Sequence, residues 1–484
     1  MTPQKTIIIG AGIGGIASAI RMKNKGHKVI VFEASDKAGG KLNEFKENGF
    51  RFDMGPSLFT MPQYIEELFK QSNKHISNYF EYQKHEKSCN YFFNDGTFLS
   101  LYSDVEKSMQ EVKKILNIDP KPFKKRVENS KYIYEKTNNI FLHKSLHKLS
   151  TYLSKGILRS IVSIPKLSIF STLHKSNESK LNHPKLVQIF DRYATYNGSN
   201  PYKAPGILNI IPHLENGYGT FFPKKGMYSI VTSLVQLAID LGVEFKYNAP
   251  VGQIKFEKRK ATGIMSNGVF YDADFIISNS DIKKTYDHLI KHKTFEVKSP
   301  SSSAIIFYWG ISKKFKQLDL HNIFFAEDYK SEFENIFNNK GVAYSDPTIY
   351  INISSKCNSK DAPNDSENWF VMINTSWNKG QDWNQYREES KKFILKKLSV
   401  ILKEDIGKLI VTEQYLDPIK IESNTSSHGG SLYGSSSNSK TSAFLRHSNF
   451  SKYKNLFHVG GSVHPGGGIP LCLLSAKIVS ENIK

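Results

Sequence analysis

The sequence predicts an α/β fold: a Rossmann-like dinucleotide-binding domain split along the chain by an inserted α+β domain. Three observations predict it. An apolar run, Thr6-Ile7-Ile8-Ile9, enters Gly10-Ala11-Gly12-Ile13-Gly14-Gly15. A second apolar run, Val29-Ile30-Val31-Phe32, ends at Glu33. Near the other end of the chain, Phe457-His458-Val459 enters another glycine loop, Gly460-Gly461-Ser462-Val463-His464-Pro465-Gly466-Gly467-Gly468-Ile469-Pro470.

The first two observations are G-x-G-x-x-G in its proper context of strand, helix, strand and acid. Gly10 permits a tight turn, Gly12 lets the backbone approach a pyrophosphate, and Gly15 lets the helix pack closely. The helix N-terminus offers free N–H groups to phosphate oxygens. Glu33 is placed to accept a ribose hydroxyl, which argues against a 2′-phosphate there. Ala19 on the helix and Gly26 in the following turn agree with this reading.

Gly39-Gly40-Lys41 follows in a short loop, where the glycines allow close approach and Lys41 can neutralise a phosphate. Asp53-Met54-Gly55-Pro56-Ser57 forms a stiff turn able to face a flat ring. The C-terminal loop has more glycines than a plain turn needs, and a helix follows it. That suits backbone pressed against a ligand with a helix N-terminus aimed at it, which is what an isoalloxazine ring requires. No second G-x-G-x-x-G exists, and Gly429-Gly430-Ser431-Leu432-Tyr433-Gly434 does not match one. The expectation is one tightly held dinucleotide, FAD, and no separate nicotinamide domain.

A chain of 484 residues exceeds one simple core. With 39% hydrophobic and 12% aromatic residues it reads as folded. Cys89, Cys357 and Cys472 lie far apart, so neither a disulfide framework nor a zinc site nor a redox dithiol is expected, and no metal. This points to a reducing cytoplasm. The formal net charge of +21 fits a peripheral membrane protein or a solvated lysine-rich surface; no nucleic-acid module accompanies it. Residues 7–20 are glycine-punctuated and run into a second strand, unlike a signal peptide. No apolar stretch approaches the roughly 20 residues that span a bilayer.

Along the chain, 1–70, 220–290 and 423–484 carry the FAD-binding character. Residues 71–219 and 291–422 read as a substrate-binding, membrane-associating domain. Expected elements include helices from Asp104 to Ile118, from Gly226 to near Gly242 and from Asn384 to Leu402. Strands are expected at Val243–Tyr247, Phe275–Ile277, Ser303–Gly310, Thr348–Ile353 and Trp369–Asn374. Ser423 to Ser442 reads as a loop. From Lys136 to Asn177 there are seven Lys or Arg and no acidic residue. Leu142, Leu146, Leu149, Leu153, Ile157, Ile161 and Ile164 alternate there with Lys144, His147, Lys148, Lys155 and Arg159. This reads as a basic amphipathic helix, either docked on an anionic membrane surface or packed on the core with a solvated face.

The chain resembles the bacterial phytoene desaturase family of FAD-dependent carotenoid desaturases and isomerases. The motifs that carry the resemblance are Gly10-Ala11-Gly12-Ile13-Gly14-Gly15 with Glu33 and Gly39-Gly40-Lys41, joined to His464-Pro465-Gly466-Gly467-Gly468-Ile469-Pro470. Gly55-Pro56-Ser57, Thr60-Met61-Pro62, Tyr196-Asn197-Gly198, Ala273-Asp274 with Ser278-Asn279, and Tyr433-Gly434 extend it over the whole length. Pro56 to Pro62, His321-Asn322-Ile323-Phe324-Phe325 and Asn374 to Trp383 look most like the 1-hydroxycarotenoid 3,4-desaturase branch.

The resemblance implies a glutathione-reductase-like FAD domain. It implies that Gly10, Gly12, Gly15, Glu33, Gly40 and Lys41 hold the ADP half and that Val251 meets the adenine through its backbone. Gly460, Gly461, His464, Ile469, Pro470 and Leu471 would border the ribityl chain and flavin. Amine oxidases usually carry an acid after the loop glycine; Gly461-Ser462 here counts against amine oxidation.

The implied reaction removes hydride and a proton from adjacent carbons beside a conjugated polyene, so the partners are a lipophilic polyene and a membrane that dissolves it. The expected location is cytoplasmic, on the inner face of the membrane. Orientation in a dry slot supplies most of the catalysis. The residues name no general base; Asp191, Arg192 and His464 are candidates, the first two equally readable as a surface ion pair and His464 as a packing residue. Phe59, Phe307, Tyr308, Phe324 and Phe325 are candidate slot linings, or plain core. Rival readings are a phytoene or diapophytoene desaturase, an amine or protoporphyrinogen oxidase, and a prenyl-lipid carrier like the GDP dissociation inhibitors.

Overall fold

Strand β1 (Lys5–Ile9), helix α1 (Ile13–Asn24) and strand β2 (Lys28–Phe32) open the computed structural model, which describes residues 3–148, 151, 168–291, 296–297, 299–338, 341–439 and 446–483. β1 and β2 run parallel, with Ile7 opposite Ile30. The sheet continues on both sides, all parallel, in the order Leu456–His458, Phe275–Ser278, β1, β2, Glu244–Lys246. Ile7, Ile8, Val29, Val31, Ile276 and Ile277 are all buried, because a parallel sheet is covered on both faces.

Every residue of α1 from Ile13 to Met22 is buried. The helix lies against the sheet and also packs on the C-terminal helix Ile469–Ser480 and on Ser229–Asp240. Its mixed, glycine-rich sequence follows from that position: with neighbours all round, it needs no polar face. A three-stranded antiparallel sheet, Val251–Glu257, Lys260–Ser266 and Val269–Asp272, extends from the parallel one.

The second large sheet has seven strands, in the order Ile410–Leu416, Ser303–Ile311, Glu367–Thr375, Ile349–Asn352, His321–Phe324, Lys87–Phe92, Phe98–Tyr102. All neighbours are antiparallel except His321–Phe324 beside Lys87–Phe92. The strands at 87–92 and 98–102, and a further one at Tyr82–His85, are not among the expected elements. Their polar residues are absorbed by specific pairings, such as Ser100 donating to Asn90 Oδ1 at 2.7 Å, which no local pattern announces.

The helix Val105–Leu116 begins at Asp104, whose carboxylate accepts the Lys107 N–H at 3.0 Å. The long helix Trp383–Leu402 is capped in the same way by Asp382. The expected loop from Ser423 is helical at its start, since Pro418–Thr425 forms a helix capped by Asp417.

The expected basic helix over 142–164 is only partly described. The helix Lys121–Phe141 ends before it, and Leu142 to Lys148 run as turns. Leu149, Leu153, Lys155, Ile157, Arg159, Ile161 and Ile164 lie outside the described residues. Lys148 pairs with Asn482 and stands over the Phe450 ring, so it serves the fold as well as the surface.

A buried charge cluster fastens the two-stranded hairpin Asn43–Glu47 and Phe50–Met54 to the turn Ser359–Asp361. Arg51 binds Glu44 at 2.6 Å and Asp53 at 2.5 Å on its own hairpin, and Asp361 at 3.1 Å on the far side. Asp53 also accepts the Tyr228 N–H at 3.1 Å. A Cβ on Gly226 would collide with the Arg51 guanidinium, so only glycine lets the cluster close. The three carboxylates hold Arg51 well above its ordinary pKa against the cost of burial.

Candidate active site

β1 and the strand Phe275–Ser278 end side by side, and the residues after them meet. A Cβ on Gly15 would collide with the Gly10 carbonyl oxygen. A Cβ on Gly12 would stand 2.7 Å from Asn279 Nδ2, and one on Gly14 would stand 2.6 Å from Asn279 Oδ1 and 3.2 Å from Gly460. The first and last glycine loops therefore converge on one asparagine. Asn279 belongs to a string noted in the sequence, but its position at this junction depends on the pairing of β1 with Phe275–Ser278.

Glu33 fastens the same turn. Its Oε2 accepts the Ala11 N–H at 2.7 Å and its Oε1 the Ser35 N–H at 2.9 Å. A carboxylate has about four acceptor positions, so capacity remains for ribose hydroxyls. Gly39 N–H donates to the Ala11 carbonyl at 2.9 Å, which brings the Gly39-Gly40 turn against Gly12.

One cavity of about 1010 Å³ joins these parts. Gly10, Gly12, Glu33, Gly40, Lys41 and Val251 line it, as do Gly460, Gly461, His464, Ile469, Pro470 and Leu471. Gly15 does not line it; its role is the contact with Gly10 that lets α1 start so close to β1. The N-termini of α1 and of Ile469–Ser480 both open into this cavity, so two helix dipoles present their positive ends to it.

Lys41 is spent differently from the expectation. Its Nζ donates to the carbonyls of Ser431 at 3.1 Å and Leu432 at 2.7 Å, tying the N-terminal loop to the chain before Tyr433. Burial lowers its pKa, opposed by nearby Asp281, which also lines the cavity. Ser462, standing where amine oxidases carry an acid, accepts the Ile282 N–H through Oγ at 3.0 Å.

From the nucleotide loops the cavity runs over one face of the seven-stranded sheet. Ile306, Ile323, Tyr350, Met372 and Leu416 form its floor. Phe141, Leu142, Leu146, Ile207, Leu208 and Ile211 form an apolar wall. None of the expected aromatic linings reaches it. Phe307 follows the floor residue Ile306 and Phe324 follows Ile323: strand alternation turns both to the opposite face, onto Trp309 and Phe92. Tyr308 is covered by Phe45 and Phe52, Phe325 by Tyr91 and Phe93, and Phe59 packs among Phe80, Tyr82 and Phe221.

The candidate bases separate. Asp191 is buried away from this cavity, bonded to His174 Nδ1 at 2.6 Å and Asn177 Nδ2 at 2.7 Å, and borders a smaller cavity elsewhere. Arg192 does line the main cavity, but its guanidinium is held by Tyr196 at 2.9 Å, Tyr91 at 3.0 Å and Glu215 at 3.3 Å. Those partners keep it cationic, so it has no lone pair to offer as a base. The two residues are thus neither exposed nor paired with each other, because consecutive positions at a helix end point in different directions. His464 donates from Nε2 to the Lys144 carbonyl at 2.9 Å, and burial lowers its pKa to about 4, so it is neutral near pH 7.

The residues fit a flavin dinucleotide on the geometry alone: two glycine loops whose missing Cβ atoms leave room at Asn279, two helix N-termini, an acid beside the first loop and an apolar wall. Among the described residues no cluster of His, Cys, Asp or Glu could hold a metal ion. No described helix is long and apolar enough to cross a membrane.

The class follows from comparison as well as geometry. The chain matches the family of flavin containing amine oxidoreductases over residues 13–484 and belongs to it; it is a flavin-dependent oxidoreductase of the carotenoid desaturase family. It is 50% identical to the 1-hydroxycarotenoid 3,4-desaturase of Flavobacterium sp. (strain P99-3), covering 99% of each chain. It is 32% identical to the 4,4'-diapolycopene oxygenase of Methylomonas sp., covering 99% of this chain and 98% of the other. Among solved structures, an oxidoreductase from Methanosarcina mazei superposes with a TM-score of 0.65 at 15% identity, over 99% of this chain and 100% of that one, a likeness of fold alone.

Proposed function

We propose that the chain holds FAD and desaturates an acyclic carotenoid, introducing the 3,4 double bond of a 1-hydroxycarotenoid. The observation that carries the reading is the single cavity in which nucleotide loops from both ends of the chain open directly onto an apolar slot. Glu33 and Val251 line the same cavity as Pro470 and Leu471, as a dinucleotide held by both loops requires. The 50% identical relative supports the choice of substrate.

When bound, the flavin supplies a two-electron acceptor for hydride from an allylic carbon; the neighbouring carbon gives up a proton. The protein's part is placement. Ile306, Ile323, Met372 and Leu416 offer a flat apolar floor to a rod-like polyene. Ile207, Leu208 and Ile211 exclude water from the other side, and excluding water strengthens every dipole that acts on the reacting bond. The Arg192–Glu215 pair stays internally neutralised at the wall, so it adds no net charge to the slot.

A water-insoluble substrate must come from a bilayer. Phe141, Leu142 and Leu146, which begin the basic stretch, also line the cavity. The reading therefore includes docking on anionic lipid at the cytoplasmic face through that stretch. Flotation with phosphatidylglycerol vesicles tests it; binding unchanged after Lys144, Lys148, Lys155 and Arg159 become Glu defeats the docking.

The enzyme itself is tested by expression in cells that accumulate phytoene, lycopene or 1-hydroxylycopene-type carotenoids, with pigments read by absorbance and mass. Loss of two hydrogens from the hydroxylated substrate alone is the expected result. A purified protein that stays colourless and takes up no added FAD overturns the reading.

A further inference from the structure

Near the cofactor loops the slot carries a polar chain that the desaturation itself does not use. Ser57 Oγ lies 2.9 Å from Tyr350 Oη, and Tyr350 Oη lies 2.8 Å from His321 Nδ1. Asn352 Nδ2 reaches the same ring nitrogen at 3.3 Å and also donates to the Leu320 carbonyl at 3.1 Å. Since that amide nitrogen can only donate, His321 Nδ1 accepts and the proton sits on Nε2. His321 is 3% exposed and lines the cavity, but its Nε2 is closed to it and meets no acceptor among the described residues. The open end of the chain is Ser57, which is half-buried and lines the cavity: the Tyr350 proton goes to His321 Nδ1, so Ser57 Oγ donates to Tyr350 Oη and keeps accepting capacity toward the slot.

The position of the chain matters as much as its unfilled valence. Ser57 comes two residues after Gly55, and Gly55 packs so tightly on the Lys41 carbonyl that a Cβ could not fit. Ser57 and Tyr350 therefore stand beside the loop that leads from the nucleotide turn, in the part of the slot nearest the cofactor. In a 3,4-desaturation the oxygen-bearing carbon is two carbons from the reacting bond. A substituent hydroxyl must then be seated within a few ångströms of the reacting carbons.

Resting on the function proposed above, we infer that Ser57, Tyr350 and His321 form the specificity site for an oxygen substituent next to the reacting bond. Ser57 Oγ accepts the proton of the substrate hydroxyl, and the Tyr350–His321–Asn352 chain behind it fixes the direction in which Ser57 donates its own. Burial supports the assignment by lowering the imidazole pKa to about 3, so the ring stays neutral and keeps an accepting Nδ1. A site built to bind a hydroxyl rejects the analogue without it by far more than an apolar pocket discriminates a methyl group.

The test compares a 1-hydroxylated acyclic carotenoid with the same polyene lacking the hydroxyl, both in lipid vesicles. The readout is the rate of anaerobic bleaching of FAD-loaded protein, followed by product mass. The wild type is expected to favour the hydroxylated polyene by about 100-fold or more. His321→Phe and Tyr350→Phe are expected to reduce that preference to under about 10-fold while flavin absorbance is retained, with the loss falling on the hydroxylated substrate. His321→Gln, which keeps an acceptor for the Tyr350 hydroxyl, is expected to recover part of it. If both Phe variants keep the wild-type preference, or if the wild type shows none while bleaching with either polyene, the inference is overturned. A wild type that bleaches with neither polyene overturns the desaturase reading instead.

Discussion

Glu33 Oε2 accepts the Ala11 N–H at 2.7 Å, so the acid that ends β2 holds the glycine turn that ends β1. The residue expected to bind ribose also builds the loop that would bind phosphate. Glu33→Ala removes two charge-assisted hydrogen bonds at once. The expected outcome is a chain less stable by about 1.5–3 kcal/mol that also loses flavin on gel filtration. Thermal unfolding with and without added FAD measures both, and wild-type flavin retention would refute the dual role.

Gly15 and Gly10 define a second dependence. The missing Cβ of Gly15 leaves room for the Gly10 carbonyl oxygen. Gly15→Ala must push α1 away from β1, at a cost of about 1–3 kcal/mol or more. Gly26→Ala is a contrasting control, since nothing lies near its Cβ; there only the positive φ of 88° is strained. The substitution at Gly15 is expected to abolish flavin binding and that at Gly26 to preserve it, read from the 450 nm region of the absorbance spectrum.

Arg51 holds both Asp53 on its own hairpin and Asp361 on the turn far along the chain. Arg51→Met leaves two buried carboxylates without a cation, and breaking a buried pair from one side costs about 3–5 kcal/mol. The midpoint of urea unfolding is expected to fall accordingly. Adding Asp361→Asn to Arg51→Met is expected to recover part of the loss, because one uncompensated charge is then removed.

Asp191 separates structure from catalysis. Asp191→Asn weakens the contact with His174 but touches nothing in the main cavity. Stability is expected to fall by about 1–3 kcal/mol, with flavin content and turnover per flavin unchanged. A large loss of turnover at full flavin occupancy would restore Asp191 as a candidate base.

The buried imidazoles set a pH dependence. Burial lowers His464 to about 4 and His321 and His458 to about 3, so the fold keeps all three neutral. Above the ordinary value near 6.5 neither folded nor unfolded chain protonates them, and their contribution is fully present. As pH falls below 6.5 the unfolded chain takes up protons that the fold excludes. Stability therefore drops toward pH 4, by up to about 1.4 kcal/mol per pH unit for each group. Urea midpoints measured from pH 7.5 to 4.5 check the sign.

The glycine loops, β1, α1, β2 and Glu33 were legible because their demands are local. A tight turn, a close backbone approach and a buried parallel strand each restrict residue type at fixed spacing. The helices expected from Asp104 and from Asn384 were of the same kind; their caps, Asp104 and Asp382, came with the structure. The strands at 82–85, 87–92 and 98–102 were not legible, since their polar residues are satisfied only by partners on other strands, near as when Ser100 meets Asn90 and far as when Asn90 meets Asn322. The sequence left the slot lining open between slot and core for a related reason: aromatic residues mark a strand, while the register decides which of two faces each one takes.

By itself, then, the sequence determined the dinucleotide loops, the acid beside them and the family the chain belongs to, because each rests on neighbouring residues and steric rules. Only the tertiary structure decided that Asn279 joins the two glycine loops, that Lys41 ties down Ser431 and Leu432, that Asp191 and Arg192 part company, and that His321 reaches Tyr350 and Ser57. Those contacts are set by strand pairing and packing, and the physical constraint that selects them acts across space between residues with no fixed separation along the chain.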